Sequence, residues 1–488
     1  MRNRKSSGKR SKGMAIVLTT LSLALILPLV GLGFDVGTLY LVQSKLGSAA
    51  DAAALAGARA LADGANAAAQ ASNAVSSARS FFSANFPAGY WNTKNASVTA
   101  TVDDTSTPNY RTVRVSATAQ APLYFLRIFN QETSTINVSS TAGRRDVELM
   151  LVLDRSSSMT GTVPGTGQTA CQIMKADAAD FVNYFAPGRD QLGLVVFGSS
   201  EYTYQSTTAF TTPDSHGNTL PSLIGQISCG GNTNSAYAIS QAYAEIQRVN
   251  NPNRMNVIVF MTDGRPNGVT ANYYPLVTDH CTSTQPFIGV LAQWAGGAVP
   301  SGSTAGLMNY STTSITNANE GAIPGSTNCQ FYKKDLTYVT SDISNLPAQD
   351  INGNSTTGPY SQENPAWPYN GHSTTLTNGA SSPQQIVLAS TNLLDNEATV
   401  IRSNATLHPS IYTIALMGDG GVNDQPDPLL LRKIANDPTL AADPGLGSTF
   451  FQQQINQPHG YFAIAPDASQ LAMAFDTIAT QISIRLAQ

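Results

Sequence analysis

The chain is poor in the residues on which most catalytic and nucleic-acid-binding proteins rely. Only 12% of its 488 residues are charged, with four cysteines, five histidines and three tryptophans. His216, His280, His372, His408 and His459 are scattered and form no H-E-x-x-H, which disfavours zinc-hydrolase chemistry. No serine lies in a G-x-S-x-G and there is no G-K-[ST], so a serine hydrolase and a phosphate-cradling loop both lack support. Cys171, Cys229, Cys281 and Cys329 form no C-x-x-C pair, against zinc or thioredoxin-like chemistry. Basic clusters are equally scarce. Six of the 27 basic residues lie in MRNRKSSGKRSKG, and the remaining 21 face 31 acidic residues, so the bulk carries −10. An acidic bulk with no second basic cluster predicts no nucleic-acid partner.

Directly after the basic tail stands the longest apolar run, Met14 to Phe34, without one charge. As a helix it would span roughly 31 Å, close to the hydrocarbon thickness of a bilayer. Basic residues before it and Asp35 after it predict a single-pass anchor, with the N-terminus cytoplasmic and everything after Asp35 outside the cytoplasm. A removed signal peptide is the second reading, but no A-x-A-like site closes the run. Prepilin-type cleavage between Gly13 and Met14 is a third; Leu18 stands where that signal usually has glutamate. Outside the cytoplasm, four cysteines predict disulfides. Three pairings exist; Cys171–Cys229 with Cys281–Cys329 is the expected one, and free buried thiols are the alternative.

From Val36 to about Phe86 alanine dominates, which predicts a helix continuing out of the membrane and weakened near Gly64. The stretch GFDVGTLYLVQSKLGSAADAAALAGARAL resembles the N-terminal module of TadE/TadG-like proteins of tight-adherence (Flp) pilus systems: an apolar helix, an Asp-x-Gly at its outer end and a D-A-A-A-L-A-like continuation. ASVTATV, YRTVRVSATAQA and TINVSSTA then alternate with period two, predicting half-exposed strands. APLYFLRIF between them reads as an amphipathic or buried connector.

Beyond residue 145 the pattern changes to continuous apolar runs interleaved with amphipathic segments. VELMLVLD, QLGLVVFGSS, MNVIVFMTDG, SIYTIALMGDG and GYFAIA read as buried strands; CQIMKADAADFVNYF, NSAYAISQAYAEIQRV, QQIVLASTNLLDNEATVI, PLLLRKIAN and ASQLAMAFDTIATQISIRL read as helices. This predicts an α/β fold with a doubly wound, mainly parallel sheet covered on both faces. The expected organisation is a cytoplasmic tail (1–13), a transmembrane helix (14–34), an alanine-rich helix with a small β module (35–145), and an α/β domain in two parts (146–267 and 384–488). Residues 268–383, rich in Ser, Thr, Asn and Gly, read as an inserted irregular subdomain, since so long a structureless loop is improbable.

In an open parallel sheet, ligands bind outside the carboxyl ends of the strands. Asp154 and Asp263 both end apolar strands, so both are expected at that rim. The loop after Asp154 offers Ser156 and Ser158, with Ser157 pointing elsewhere if the loop is extended. Thr233 stands ahead of a helix in CGGNTNSAYAI. Two carboxylates and three hydroxyls form an all-oxygen set suited to Mg²⁺, with Mn²⁺ or Ca²⁺ as alternatives. Singly, Asp154 is a helix cap and the serines are turn residues; the set is what argues for a ligand.

Asp154, Ser156, Ser158, Thr233 and Asp263, on those elements, resemble the metal-ion-dependent adhesion site of von Willebrand factor type A domains. The resemblance implies that the hydroxyls bind metal directly, the aspartates often through water, and that an open coordination position favours a partner's carboxylate. The expectation is therefore a non-enzymatic binding and scaffold protein of Flp pilus assembly. Its partners would be pilus or envelope proteins presenting a carboxylate, and related TadE/TadG-like proteins in the membrane. A minor-pilin-like adhesin displayed on a filament is the alternative. A metal-dependent hydrolase ranks below both, because no general base is evident.

Overall fold

The computed structural model describes residues 10–273, 287–294, 304–309, 314–316, 346–364, 382–417, 425–443, 454 and 456–486. The chain divides into two compact units between Arg144 and Arg145.

In the first unit the apolar run and its alanine-rich continuation form one helix, α1 (Arg10–Ala60), long and apolar enough to cross a membrane by length and composition. It ends before Gly64, whose positive φ of 140° suits glycine. Asn66 then caps α2 (Ala67–Asn85) by accepting from Ala69 N at 3.0 Å. The three period-two segments become β1 (Lys94–Thr107), β2 (Tyr110–Pro122) and β3 (Thr133–Arg145), paired in the order β1–β2–β3. Alternate residues of β2, from Val113 to Ala121, are buried against Ala50, Ala53 and Ala54 of α1 and Ala74 and Ala78 of α2. At Gly57 a Cβ would stand 2.8 Å from Val113 and 3.1 Å from the Ala74 carbonyl, so the packing there requires glycine.

The second unit is built on a six-stranded sheet in the order β12–β11–β7–β4–β5–β6. Its strands are β4 (Val147–Asp154), β5 (Gln191–Phe197), β6 (Glu201–Thr207), β7 (Met255–Thr262), β11 (Ser410–Leu416) and β12 (Phe462–Ala465). All neighbours are parallel except the edge pair β5–β6. Both faces are covered, which is why the strands read as unbroken apolar runs. Val147, Leu149, Leu151 and Leu153 face α3 (Ala170–Val182) and α8 (Leu471–Leu486); Met150 and Val152 face α5 (Ser235–Val249) and α6 (Ser382–Arg402). Two short helices, α4 (Leu220–Gly225) and α7 (Pro428–Ile434), complete the layers.

The segment expected to be irregular contributes regular structure. β8 (Gly268–Tyr273), β9 (Phe287–Trp294) and β10 (Thr304–Asn309) form an antiparallel sheet in the order β10–β9–β8. Val269, Ala271, Tyr273 and Leu291 join the core on the α5–α6 side. Strands of six to eight residues carry too few periods to stand out among Ser, Thr, Asn and Gly. Cys281, Cys329 and the NPAWPYNGH stretch from Pro365 on lie outside the described residues.

Candidate functional site

β4 and β7 are parallel neighbours, with Leu153 opposite Met261, so their carboxyl ends emerge side by side. That register brings Asp154 and the Thr262–Asp263 pair to one rim. Ser158 Oγ donates to Asp263 Oδ1 at 2.7 Å, Ser156 Oγ donates to the same oxygen at 3.3 Å, and the two hydroxyl oxygens are 2.9 Å apart. Asp154 is fully buried; its Oδ1 accepts from Ser156 N at 2.7 Å and its Oδ2 from Thr262 Oγ1 at 2.6 Å. Burial pushes its carboxyl up to about 6, although Ser156 and Thr262 donate to the charged form.

Four of the five expected residues are thus joined. Thr233 is buried, but among the described residues its hydroxyl makes no hydrogen bond into this group. It is fixed through its backbone: Thr233 N donates to Asn267 Oδ1 at 2.7 Å, and Asn267 N donates to Thr233 O at 2.9 Å. The loop after Asp154 is not extended. It enters a 3₁₀ turn at Ser157–Thr160, and exposed Ser157 is a fastener: its N and Oγ both donate to Gly231 O, at 3.0 and 2.9 Å. Gly198 lets the loop that carries Gly231 lie against the end of β5, since a Cβ there would meet Gly230 O at 2.8 Å.

Two further features hold the rim. Cys171 and Cys229 are disulfide-bonded, with Cα atoms 6.3 Å apart, tying the first turn of α3 to the loop that leads to Thr233. Arg155 is fully buried and donates from Nη1 to Ser314 O at 3.1 Å and Ile315 O at 3.3 Å, so residues 314–315 of the insert are fixed beside the site. Sequence reading passed over Thr262 and Asn267. Thr262 stands directly before Asp263, yet a threonine inside a β run reads as a strand former. No local signal marks Asn267. Among the described residues no three His, Cys, Asp or Glu side chains gather as a metal-binding group; the cluster is half hydroxyl.

Comparisons agree with this architecture. Residues 149–265 match the von Willebrand factor type A domain family, residues 13–60 the Flp pilus-assembly TadE/G-like family, and residues 48–142 the Tad-like Flp pilus-assembly family. No curated protein matches the chain. Similar solved structures include the pilus adhesin SpaC of Lactobacillus rhamnosus GG (13% identity, TM-score 0.36, covering 80% of this chain and 35% of that one). Others are the PilB minor pilin of Streptococcus sanguinis (15%, 0.35, covering 81% and 80%) and the vWF domain of the type V pili tip protein Mfa5 of Porphyromonas gingivalis (17%, 0.34, covering 71% and 97%). The chain spans about a third of the SpaC length, and likeness of this size carries no inference about binding. What the three family matches show is the make-up of the chain: it is TadG-like, a TadE/G-like Flp pilus-assembly module followed by a von Willebrand factor type A domain.

Proposed function

We propose that the chain is a membrane-anchored binding and scaffold protein of Flp pilus assembly. In this reading it engages an acidic group on a pilus or envelope protein through a divalent cation at Asp154, Ser156, Ser158, Thr233 and Asp263. The observation that carries it is the convergence of the Ser156 and Ser158 hydroxyls on Asp263 Oδ1, beside the fully buried Asp154. The donor set fits a hard cation. All of its atoms are oxygens, and the hydrogen bonds to Asp154 come from neutral groups, so the charge of a buried carboxylate awaits compensation.

A bound Mg²⁺ or Mn²⁺ supplies a Lewis-acidic position that attracts a carboxylate. The chain's own residues prepare that position. Thr262 and Ser156 N orient Asp154, Ser157 fastens its loop to Gly231, and Asn267 holds Thr233 in place. Three neutral hydroxyl ligands would leave much of the cation's charge uncompensated, which favours anion capture over the activation of water. The basic tail supports an N-terminus in the cytoplasm. Related TadE/TadG-like proteins are the proposed membrane partners of the first unit.

Titration calorimetry of the full chain with Mg²⁺ and Mn²⁺ tests the reading, together with capture from envelope extract. Asp154→Ala, and Ser156→Ala with Ser158→Ala, are expected to abolish metal binding and metal-dependent capture. Capture that persists unchanged in EDTA would overturn the proposal.

A further inference from the structure

The connector between β2 and β3 is held in an unusual way. Asp35, buried on α1, accepts from three consecutive backbone amides: Tyr124 N at 2.7 Å, Phe125 N at 3.1 Å and Leu126 N at 2.8 Å. This side chain, about ninety residues upstream, caps the 3₁₀ turn Leu126–Phe129. The turn is thereby drawn down the helix. The Phe125 ring lies on Gly31, where a Cβ would stand 2.2 Å from it, and Tyr124 meets Phe34 edge-on at 5.5 Å. Gly31 is one turn on the apolar side of Asp35, or about 6 Å along the axis.

Having brought the turn to that level, the fold leaves its apolar side chains outside. Ile128 is 74% exposed and Phe129 65%, on the same unit as an α1 span that is also uncovered. Asn130, Gln131 and Glu132 come immediately after, all polar and exposed. In water two such side chains at the tip of a capped turn are unfavourable. At the boundary of a bilayer they complete the apolar surface that α1 already presents. Side chains that enter an interface reach about 5–10 Å into it, a distance comparable with the one helical turn that separates Asp35 from Gly31 and the Phe125 ring on it.

We propose that the Leu123–Phe129 turn is a second membrane contact, with Ile128 and Phe129 inserted among lipids where α1 leaves the bilayer. Asp35 is the residue that sets its depth. The inference rests on α1 spanning a membrane. An aromatic and aliphatic tip that follows the exposed Tyr124 fits the belt in which such side chains concentrate. Fixing the turn to α1 also fixes how the first unit stands on the bilayer.

The test uses the full chain in phosphatidylcholine vesicles, with a tryptophan added at Ile128→Trp and read as the difference from the unsubstituted chain. The expected result is a blue-shifted emission, quenched more by lipids brominated near the headgroup than by lipids brominated at the chain end, and shielded from aqueous iodide. Adding Asp35→Ala should restore access to iodide. Quenching by iodide without quenching by lipid overturns the proposal. So does shielding from both, which would mean that a protein covers the turn. A separate Leu23→Trp reads the span itself and should be quenched by the deep bromines. If it is not, the spanning reading fails and takes the inference with it; if it is, the outcome at Ile128→Trp stands alone.

Discussion

The two units bury their interiors in opposite ways. The first packs alanines of α1 and α2 on one face of a three-stranded sheet, and β1 remains largely exposed. The second sandwiches its sheet, so that every residue of β4 is buried. In a one-sided sheet a polar residue turns outward without cost. In a two-sided sheet any polar residue is deep, and its position along the strand decides what it does. Glu148 lies near the start of β4, inside the layers; Asp154 lies at its end, on the rim where ligands bind. Equal burial has different consequences because Glu148 stands among Ser206, Arg254, Glu245 and Arg248, and Asp154 among hydroxyls and a loop.

The sharpest way to break this comparison is to cut the cross-link that the first unit lacks. The Cys171–Cys229 bridge closes a 58-residue separation, worth about 4 kcal/mol on the chain-entropy account. Replacing both cysteines by serine should lower the opening free energy of β4 and β7 amides by about that amount. Native-state hydrogen exchange on the full chain checks it, with β2 amides as the internal reference; an equal loss in both units would contradict the assignment.

Protonation separates the two carboxylates next. Burial pushes Glu148 from 4.5 up to about 7. The folded state therefore holds its proton more tightly than the unfolded state. The resulting stability is fully present below 4.5 and is lost as pH rises through 7. Glu148→Gln should remove its share of that decline, about 3 kcal/mol across the interval at one tenfold step per 1.36 kcal/mol. Urea unfolding of the second unit on either side of the window measures it, and an unchanged pH slope would show that Glu148 is solvated.

Much of this was legible from sequence because burial on both faces writes itself as unbroken apolar runs. The ends of VELMLVLD and NVIVFMTD placed Asp154 and Asp263 at one rim, whereas Ser157 is set apart from Ser156 and Ser158 by a 3₁₀ turn and its bond to Gly231, not by the extended loop expected. What escaped depends on long-range partners. Thr233 is positioned by Asn267, 34 residues on, and Ser157 by Gly231, 74 residues on. Neither relation leaves a periodic trace. The short strands β8–β10 are diluted by small polar residues, and APLYFLRIF has the composition of a core connector although its tip is exposed.

The smallest expected effect belongs to the first unit, where a buried charge replaces the missing bulk. Arg111 on β2 is fully buried; it donates to Gln70 Oε1 at 2.8 Å and to Leu61 O at 3.0 Å, while Asp104 stands 3.9 Å away. Gln70 passes the chain on, donating to Gly64 O at 3.1 Å. The guanidinium therefore fastens the α1–α2 turn to the sheet, where alanines offer little surface to do so. Arg111→Met keeps the apolar stem but leaves the Leu61 carbonyl without this donor, a cost of about 2 kcal/mol. The loss should be concentrated in the amides around residues 58–70 and in β2, with β4 and β7 as reference. A response spread evenly along the first unit would mean that alanine packing, and not the Arg111 clamp, closes the turn.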